Sequence, residues 1–437
     1  MKPKATLVVL SNEIFENYFI SGVINTFIEI YDLSILCDKS LYLKINEFIN
    51  DKSILCRSYS KDKTLVKFFD GSCYFKTKQK ATLCRGFNLR LRRTNLSILF
   101  FKTFGFTATI KRFFKNIILF FYVKYFSRNN YRKLIKRIKK SDYISQIKEL
   151  NPKYLFIPCF AISYEIFYAS FARENSLLKI QEVCLVDNWD NLSSKSIFLS
   201  KPNKIGLYGK QARNHIDRIQ GLEQKDTFIW GSPRYDLYLN YKYQNIQSII
   251  NKEYILYAGT SIYYDELSDL KDIRRNLNKD IEINYLPHPY RQIPKSIQKK
   301  VDQRNLVAKN IHFIERNRSR DLNQIVELTN NAKFIICGPT SMILEALICH
   351  KKVLISSRSD LNSYQSTSEI FFGYEHFDGL ELNPLVRVFS EMSSIEAALE
   401  WAMKTPSKEE KQYSDSLVNY YVEININRKS ILLSNFN

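Results

Sequence analysis

The segment Phe334-Ile-Ile-Cys-Gly-Pro-Thr-Ser-Met-Ile-Leu-Glu345 runs from four apolar residues through Gly338-Pro339 to two hydroxyl residues, Thr340 and Ser341. An apolar helical pattern follows at Met342, Leu344, Leu347 and Ile348. A strand that feeds a helix through a hydroxyl-rich turn leaves backbone N–H groups and the positive helix end aimed at one spot, which suits an anion. Glu345, one helical turn beyond Ser341, is placed to accept hydrogen bonds from sugar hydroxyls. Together these residues suit the phosphates and ribose of a nucleotide; plain N-capping by Thr340 or Ser341 is the alternative.

Three more polar segments follow predicted strands: Asp187-Asn-Trp-Asp-Asn-Leu-Ser-Ser-Lys195, Gly231-Ser-Pro-Arg-Tyr-Asp236 and Leu286-Pro-His-Pro-Tyr-Arg291. Transfer of a group to a hydroxyl needs a base on that hydroxyl and positive charge on the leaving phosphate. Asp190 is the candidate base, with Trp189 as an apolar wall that would raise its pKa. Capping a helix or holding a loop is its other reading. His288 joins the Thr340/Ser341 turn as a phosphate contact, or else is a satisfied loop histidine. Lys195 or Arg291 would add positive charge. No Asp-x-Asp metal site is evident, and His215, His312, His350 and His376 have no partner pattern.

These segments need a scaffold that presents loops at one edge. Strands are predicted at Lys4–Leu10, Tyr31–Cys37, Tyr154–Pro158, Gln181–Val186, Lys204–Tyr208 and Thr227–Trp230, and again from Tyr254–Ala258 through Ile281–Leu286 and Phe334–Cys337 to Val353–Ser356. Helical patterns alternate with them, including Asn17–Ile30 and Glu409–Asn427. Alternation in both halves gives an α/β chain of two Rossmann-like domains facing across a cleft. The expected boundaries are an N-terminal acceptor domain over 1–245 and a nucleotide-donor domain over 246–405. A helix over 406–437 packs back toward the first domain.

The chain carries 65 Lys and Arg against 44 Asp and Glu, with 45% hydrophobic and 14% aromatic residues, which excludes a disordered protein. From Gly71 to Ser141 there is no acidic residue and there are nineteen basic ones; the remainder is almost balanced, at 46 basic against 44 acidic. This stretch, a helical insertion over 71–141 in the N-terminal domain, puts Ile110, Phe113, Phe114, Ile117, Phe121 and Tyr125 on one helical face. Lys111, Arg112, Lys115, Lys124 and Arg128 lie elsewhere around it, and Arg132–Lys140 continues the basic pattern. Residues 85–140 thus fit an anionic membrane surface; packing of the apolar face on the protein is the alternative. No nucleic-acid motif is present. The eight cysteines have no CxxC or metal-ligand spacing and read as reduced core thiols. The apolar run after Lys4 is too short for a secretory signal, and no uncharged run is long enough to span a bilayer.

The order and spacing of the motifs resemble the GT-B-fold transferases of bacterial surface polysaccharides. The nearest families are the surface carbohydrate glycosyltransferases and the CDP-glycerol glycerophosphotransferases of teichoic acid synthesis. The resemblance covers Gln181–Ser356 well and Leu7–Cys37 weakly, and leaves out the basic insertion. Against the Trp-His-Gly-Thr-x-x-Lys motif of the glycerophosphotransferases, Trp189 and Lys195 match, Asp190 replaces the histidine and Asn191 the glycine. Gly231-Ser-Pro-Arg234-Tyr-Asp236 is close to Gly-x-Pro-Arg-x-Asp, and its Arg234 and Asp236 otherwise read as a structural ion pair shaping a domain-edge loop. Gly259-Thr260 ends a strand resembling Ile-Leu-Tyr-Ala-Pro-Thr, Pro287-His288-Pro289 matches a His-Pro motif, and Gly338-Pro-Thr-Ser341 replaces Asp-Tyr-Ser-Ser.

The resemblance implies donor or substrate contacts at Trp189, Asn191, Arg234, Gly259, Thr260, His288, Arg291, Gly338, Thr340, Ser341 and Glu345, with Asp190 and Lys195 catalytic. It implies an enzyme without metal or cofactor; the reduced cysteines imply a cytoplasmic protein, and the basic insertion one peripheral on the inner face of the membrane. Such an enzyme moves a sugar from a nucleotide sugar to a hydroxyl of a growing surface polysaccharide, capsule included, or lipid-linked glycan. A glycerol- or ribitol-phosphate transferase and a sugar-nucleotide 2-epimerase share the fold, and a scaffold without activity is a further alternative.

Overall fold

The computed structural model describes residues 1–49, 54–94, 106–107, 109–111, 113–115, 117–118, 120–121, 131–195, 197–243, 252–261, 266–288, 310–314, 322–357, 366–389 and 395–436. The chain divides into two compact units, Met1–Arg234 with Tyr420–Asn437, and Tyr235–Asn419.

The first unit holds strands β1 (Lys4–Val9), β2 (Asp32–Asp38), β3 (Leu55–Tyr59), β4 (Tyr154–Cys159), β5 (Gln181–Val186), β6 (Lys204–Leu207) and β7 (Thr227–Ile229). They form one parallel sheet in the order β3-β2-β1-β4-β5-β6-β7. The second unit holds β8 (Tyr254–Ala258), β9 (Glu282–Leu286), β10 (Ile311–Phe313), β11 (Ile335–Cys337), β12 (Val353–Ser356) and β13 (Val386–Phe389). These are also parallel, in the order β10-β9-β8-β11-β12-β13. Both sheets therefore reverse direction beside their first strand, the doubly wound arrangement. The central strands β1, β4, β5, β8 and β11 are almost wholly buried, as a sheet covered on both faces requires, so they are written mostly in apolar residues.

Three strands were not expected from the sequence: β3, β10 and β13. All three lie at sheet edges. An edge strand keeps polar residues, such as Arg57-Ser58 in β3 and Arg387 in β13, and the apolar run is cut. The helix expected over Asn17–Ile30 is broken. A short helix, Asn12–Phe15, is capped by Ser11 and runs into a π-helical turn, Glu16–Ile20. Gly22, at φ +81°, then starts a separate helix, Val23–Ile30. The helix expected over Glu409–Asn427 is Lys408–Tyr421, and a second one follows at Arg428–Phe436. Its Arg428, Leu432 and Phe436 recur every fourth residue and are buried. Phe436 packs on Phe156 at 5.4 Å and Phe228 at 5.6 Å, and its carbonyl accepts the Tyr154 phenol. The chain end is thus part of the first unit's core.

The basic stretch lies between β3 and β4. Its described parts are the helices Lys63–Gln79, Arg85–Thr94 and Tyr131–Lys139, with helical residues in 106–121. All eight cysteines are free thiols, seven of them buried.

Candidate functional site

In a doubly wound sheet the loops beyond the carboxyl ends of the strands, at the reversal of strand order, are where a ligand finds exposed backbone groups. In the second unit that reversal lies between β8 and β11. Gly259 and Thr260 end β8, His288 follows the neighbouring β9, and Gly338-Pro339-Thr340-Ser341 follows β11. Three segments far apart in sequence thus meet at one sheet edge.

Glu266 ties two of them together. Its Oε1 accepts the Thr260 N–H at 2.9 Å and its Oε2 accepts the Tyr285 phenol at 2.6 Å, with the carboxylate buried. The Gly259 N–H donates to the carbonyl of Leu286 at 2.8 Å. A Cβ on Gly259 would stand 2.9 Å from Glu266 Oε2 and 3.0 Å from the His288 nitrogen, so close approach demands the glycine. His288 is half-buried beside it. Asp269, also buried, accepts the Tyr257 phenol at 3.1 Å and the Ser356 hydroxyl at 2.8 Å.

Ser341 precedes the seven-residue helix Met342–Ile348 but has helical φ and ψ of −62° and −17°, and its side chain makes no cap bond to that helix. Thr340 and Ser341 are half-buried. Glu345 is fully buried, and its Oε2 accepts the Tyr238 phenol at 2.6 Å. Arg291 and Pro289 lie outside the described residues.

In the first unit the loop after β5 carries the other candidates. Asp190 and Lys195 form an ion pair at 2.9 Å, with the aspartate side chain 20% exposed. A π-helical turn over Asn191–Lys195 brings them together. Asn191 is buried; its Oδ1 accepts the Ile162 N–H at 3.3 Å, and its amide lies 3.8 Å from Cys159 Sγ, so it joins this loop to the end of β4. Trp189 is buried with its ring edge-on to Tyr421 at 6.1 Å. Arg234 is buried in the turn Pro233–Tyr235, after β7.

A buried polar chain lies at the same edge. Trp230 Nε1 donates to the Tyr18 hydroxyl at 3.1 Å, and the Tyr18 hydroxyl donates to Asp187 Oδ1 at 3.2 Å. The Arg428 guanidinium stands over the Trp230 ring at 5.5 Å. Burial pushes the Asp187 carboxyl well above the usual carboxylate range, only partly opposed by the Tyr18 phenol and Arg428. Burial, then the nearby Asp187, pushes the Tyr18 phenol up as well.

The segment before the last helix runs against this edge. The Glu423 N–H donates to the Tyr208 carbonyl at 3.0 Å. Gly231, at φ +67°, has no room for a Cβ, which would meet the Glu423 carbonyl at 2.6 Å.

Sequence reasoning did not single out Glu266, Asp269, Tyr18 or Arg428. A carboxylate at the start of a helix after β8 was the available signal for the first two. Among the described residues no group of three or more His, Cys, Asp and Glu could hold a metal ion. No described helix is long and apolar enough to cross a membrane.

No family model and no curated protein matches the sequence. Solved structures do. The UDP-GlcNAc 2-epimerase of Neisseria meningitidis, bound to UDP-GlcNAc, superposes with a TM-score of 0.56 over 99% of this chain and 98% of that one, at 12% identity. The chain has a GT-B-type fold. A putative UDP-N-acetylglucosamine 2-epimerase of Listeria monocytogenes gives 0.53 at 13% identity, over 97% and 93% of the two chains. The UDP-GlcNAc 2-epimerase of Methanocaldococcus jannaschii gives 0.51 at 12% identity, over 95% and 98%. At these identities the likeness is one of fold.

Proposed function

We propose that this GT-B protein is a glycosyltransferase that moves a sugar from a nucleotide sugar to a hydroxyl of a growing surface polysaccharide or lipid-linked glycan. The observation that carries the reading is the convergence of Gly259-Thr260, His288 and Gly338–Ser341 on the reversal point of the second sheet. The donor belongs to this unit. Thr260, His288, Thr340 and Ser341 take its phosphates. Glu345, expected to take the ribose, is fully buried and bonded to the Tyr238 phenol, so it braces the helix behind the Thr340-Ser341 turn instead.

The first unit supplies the acceptor side. Asp190 removes the proton of the acceptor hydroxyl as that oxygen bonds to the anomeric carbon. The bond from that carbon to the nucleotide's phosphate oxygen breaks, and the nucleotide leaves with the electron pair and the negative charge. Lys195 holds Asp190 until substrate displaces it, then contributes positive charge. No metal enters this scheme. The enzyme works at the inner face of the cytoplasmic membrane, where a lipid-linked acceptor is presented.

End-to-end fold likeness to UDP-GlcNAc 2-epimerases supports a second reading, sugar-nucleotide epimerisation. The two differ in one requirement: an epimerase converts the nucleotide sugar alone, whereas the transferase needs an acceptor. Asp190 in place of the histidine disfavours a glycerol- or ribitol-phosphate transferase. A thermal-unfolding panel with CMP, CDP, UDP and GDP tests the nucleotide site. A ligand at a hundred times its Kd stabilises the native state by about 2.7 kcal/mol. If no nucleotide or nucleotide sugar raises the melting temperature, the reading fails. Asp190→Asn and Asp190→His then test the base; full transfer by the Asn variant excludes it.

A further inference from the structure

Two basic helical parts of the insertion treat their apolar residues in opposite ways. In Tyr131–Lys139, Leu134 and Ile138 are buried, Arg132, Lys133, Lys136, Arg137 and Lys139 face solvent, and Arg137 pairs with Asp62 at 2.9 Å. That helix is packed on the protein, with a solvated charged face. The helical residues of 106–121 reverse this. Ile110, Phe113, Phe114, Ile118 and Phe121 are 37% to 61% exposed. At 100° per residue they fall within an arc of about 140°. Lys111 and Lys115, both exposed, lie at the edge of that arc and beyond it. Phe120 meets Phe75 of the helix Lys63–Gln79 at 5.9 Å, which ties this element to the body of the unit.

We infer that this face is a docking surface for an anionic lipid bilayer. A contiguous row of exposed phenylalanine and isoleucine marks an interaction site. The surrounding stretch, with nineteen basic and no acidic residues between Gly71 and Ser141, selects an anionic partner. A bilayer interface accepts both features at once: rings enter the acyl boundary, and lysines reach up to the headgroups. A second copy of the chain would bring an equal positive charge against this face. The inference stands on the insertion alone and does not depend on which nucleotide is used.

The test is flotation of the full chain with vesicles of phosphatidylcholine alone and of phosphatidylcholine mixed with phosphatidylglycerol. Binding is expected to the mixed vesicles and to fall with added salt. Lys111→Glu with Lys115→Glu should weaken it by about 25-fold or more, since each basic residue at an anionic surface is worth about fivefold. Phe113→Ser with Phe114→Ser should weaken it comparably at every salt concentration. Both pairs are exposed, so unchanged melting temperature and unchanged nucleotide protection are expected and serve as the folding control. Failure of the wild type to float with anionic vesicles overturns the inference, as does unaltered binding by both variants. Self-association or nucleic-acid retention that the Phe variant abolishes, with no vesicle binding, overturns it too. Flotation as expected with no nucleotide protection upholds the docking surface and sinks the proposed function.

Discussion

Gly209→Ala tests whether the C-terminal segment is a fixed part of the first unit. Gly209 is extended at φ −171°, a conformation alanine adopts without strain. On chain entropy alone the change would stabilise the protein by about 0.4–1 kcal/mol. The structure reverses the sign. A Cβ at Gly209 would lie 2.5 Å from the Tyr421 carbonyl oxygen, 2.7 Å from its carbonyl carbon and 2.9 Å from the Val422 nitrogen. All three are backbone atoms, so no side-chain rotation relieves the overlap. The segment must withdraw by roughly 1 Å to reach ordinary contact. Two residues on, the Glu423–Tyr208 backbone bond is stretched with it. Overpacking costs about 1–3 kcal/mol and the bond about 1 kcal/mol. Set against the entropy gain, the net loss is about 1–3.5 kcal/mol, or a fall of roughly 2–14 °C in melting temperature for a unit of this size. Thermal unfolding followed by tryptophan emission reads it directly, because Trp189 touches Tyr421 and Trp230 lies beneath Arg428. A variant that melts at or above the wild type refutes the packing argument.

Asp187→Asn should change how stability depends on pH. The folded carboxyl titrates above its unfolded value, so its cost is absent below the unfolded pKa and grows as pH rises toward the folded one. Urea unfolding between about pH 4 and pH 8 should favour the Asn variant increasingly with pH, with a slope up to about 1.4 kcal/mol per unit; a constant difference contradicts this. Glu266→Gln leaves one of two buried donors, the Thr260 N–H or the Tyr285 hydroxyl, facing an amide that donates. A loss of about 1–3 kcal/mol and weaker nucleotide protection are expected, and unchanged protection would show that the β8 loop does not touch the nucleotide. Tyr238→Phe removes the phenol held by Glu345 and should cost a similar 1–3 kcal/mol by thermal unfolding, with no loss if that carboxylate has no need of it.

What was legible in the sequence follows burial. β5, β8 and β12 lie where their apolar runs place them, because strands covered on both faces carry apolar residues in succession: 183–186 in β5, Tyr254–Ala258 in β8 and 353–355 in β12. β3, β10 and β13 escaped because an edge strand needs only one continuous neighbour, and polar residues break the run. The helix break at Gly22 is written only as Ser21-Gly22, a weak signal inside the strong apolar pattern of Asn17–Ile30. The helix Arg428–Phe436 buries just one face, so its three inward residues were lost among Asn, Ser and Lys.

The site divides along a different line. Loops that end strands could be found from sequence, since residue type and position both pointed there: Thr260, His288 and Ser341 needed only the strand order to converge. Their supports could not. Glu266 matters because Thr260 and Tyr285 come to its two oxygens, and Tyr18 because Asp187 and Trp230 meet it from 169 and 212 residues away. Such roles are properties of pairs, and a single sequence carries no record of which residues are paired. Asp190 shows the same limit from the other side. Its type and its loop suggest a base, yet its neighbour in the structure is Lys195, five residues on, drawn in by one π-helical turn. A carboxylate already engaged by an ammonium acts on an acceptor only after that ion pair opens. If Asp190 is the base, Lys195→Met should therefore raise acceptor affinity while lowering turnover, as substrate no longer competes for the carboxylate and the leaving phosphate loses a cation. A variant that loses both in proportion would place Lys195 in binding alone and leave the ion pair a structural one.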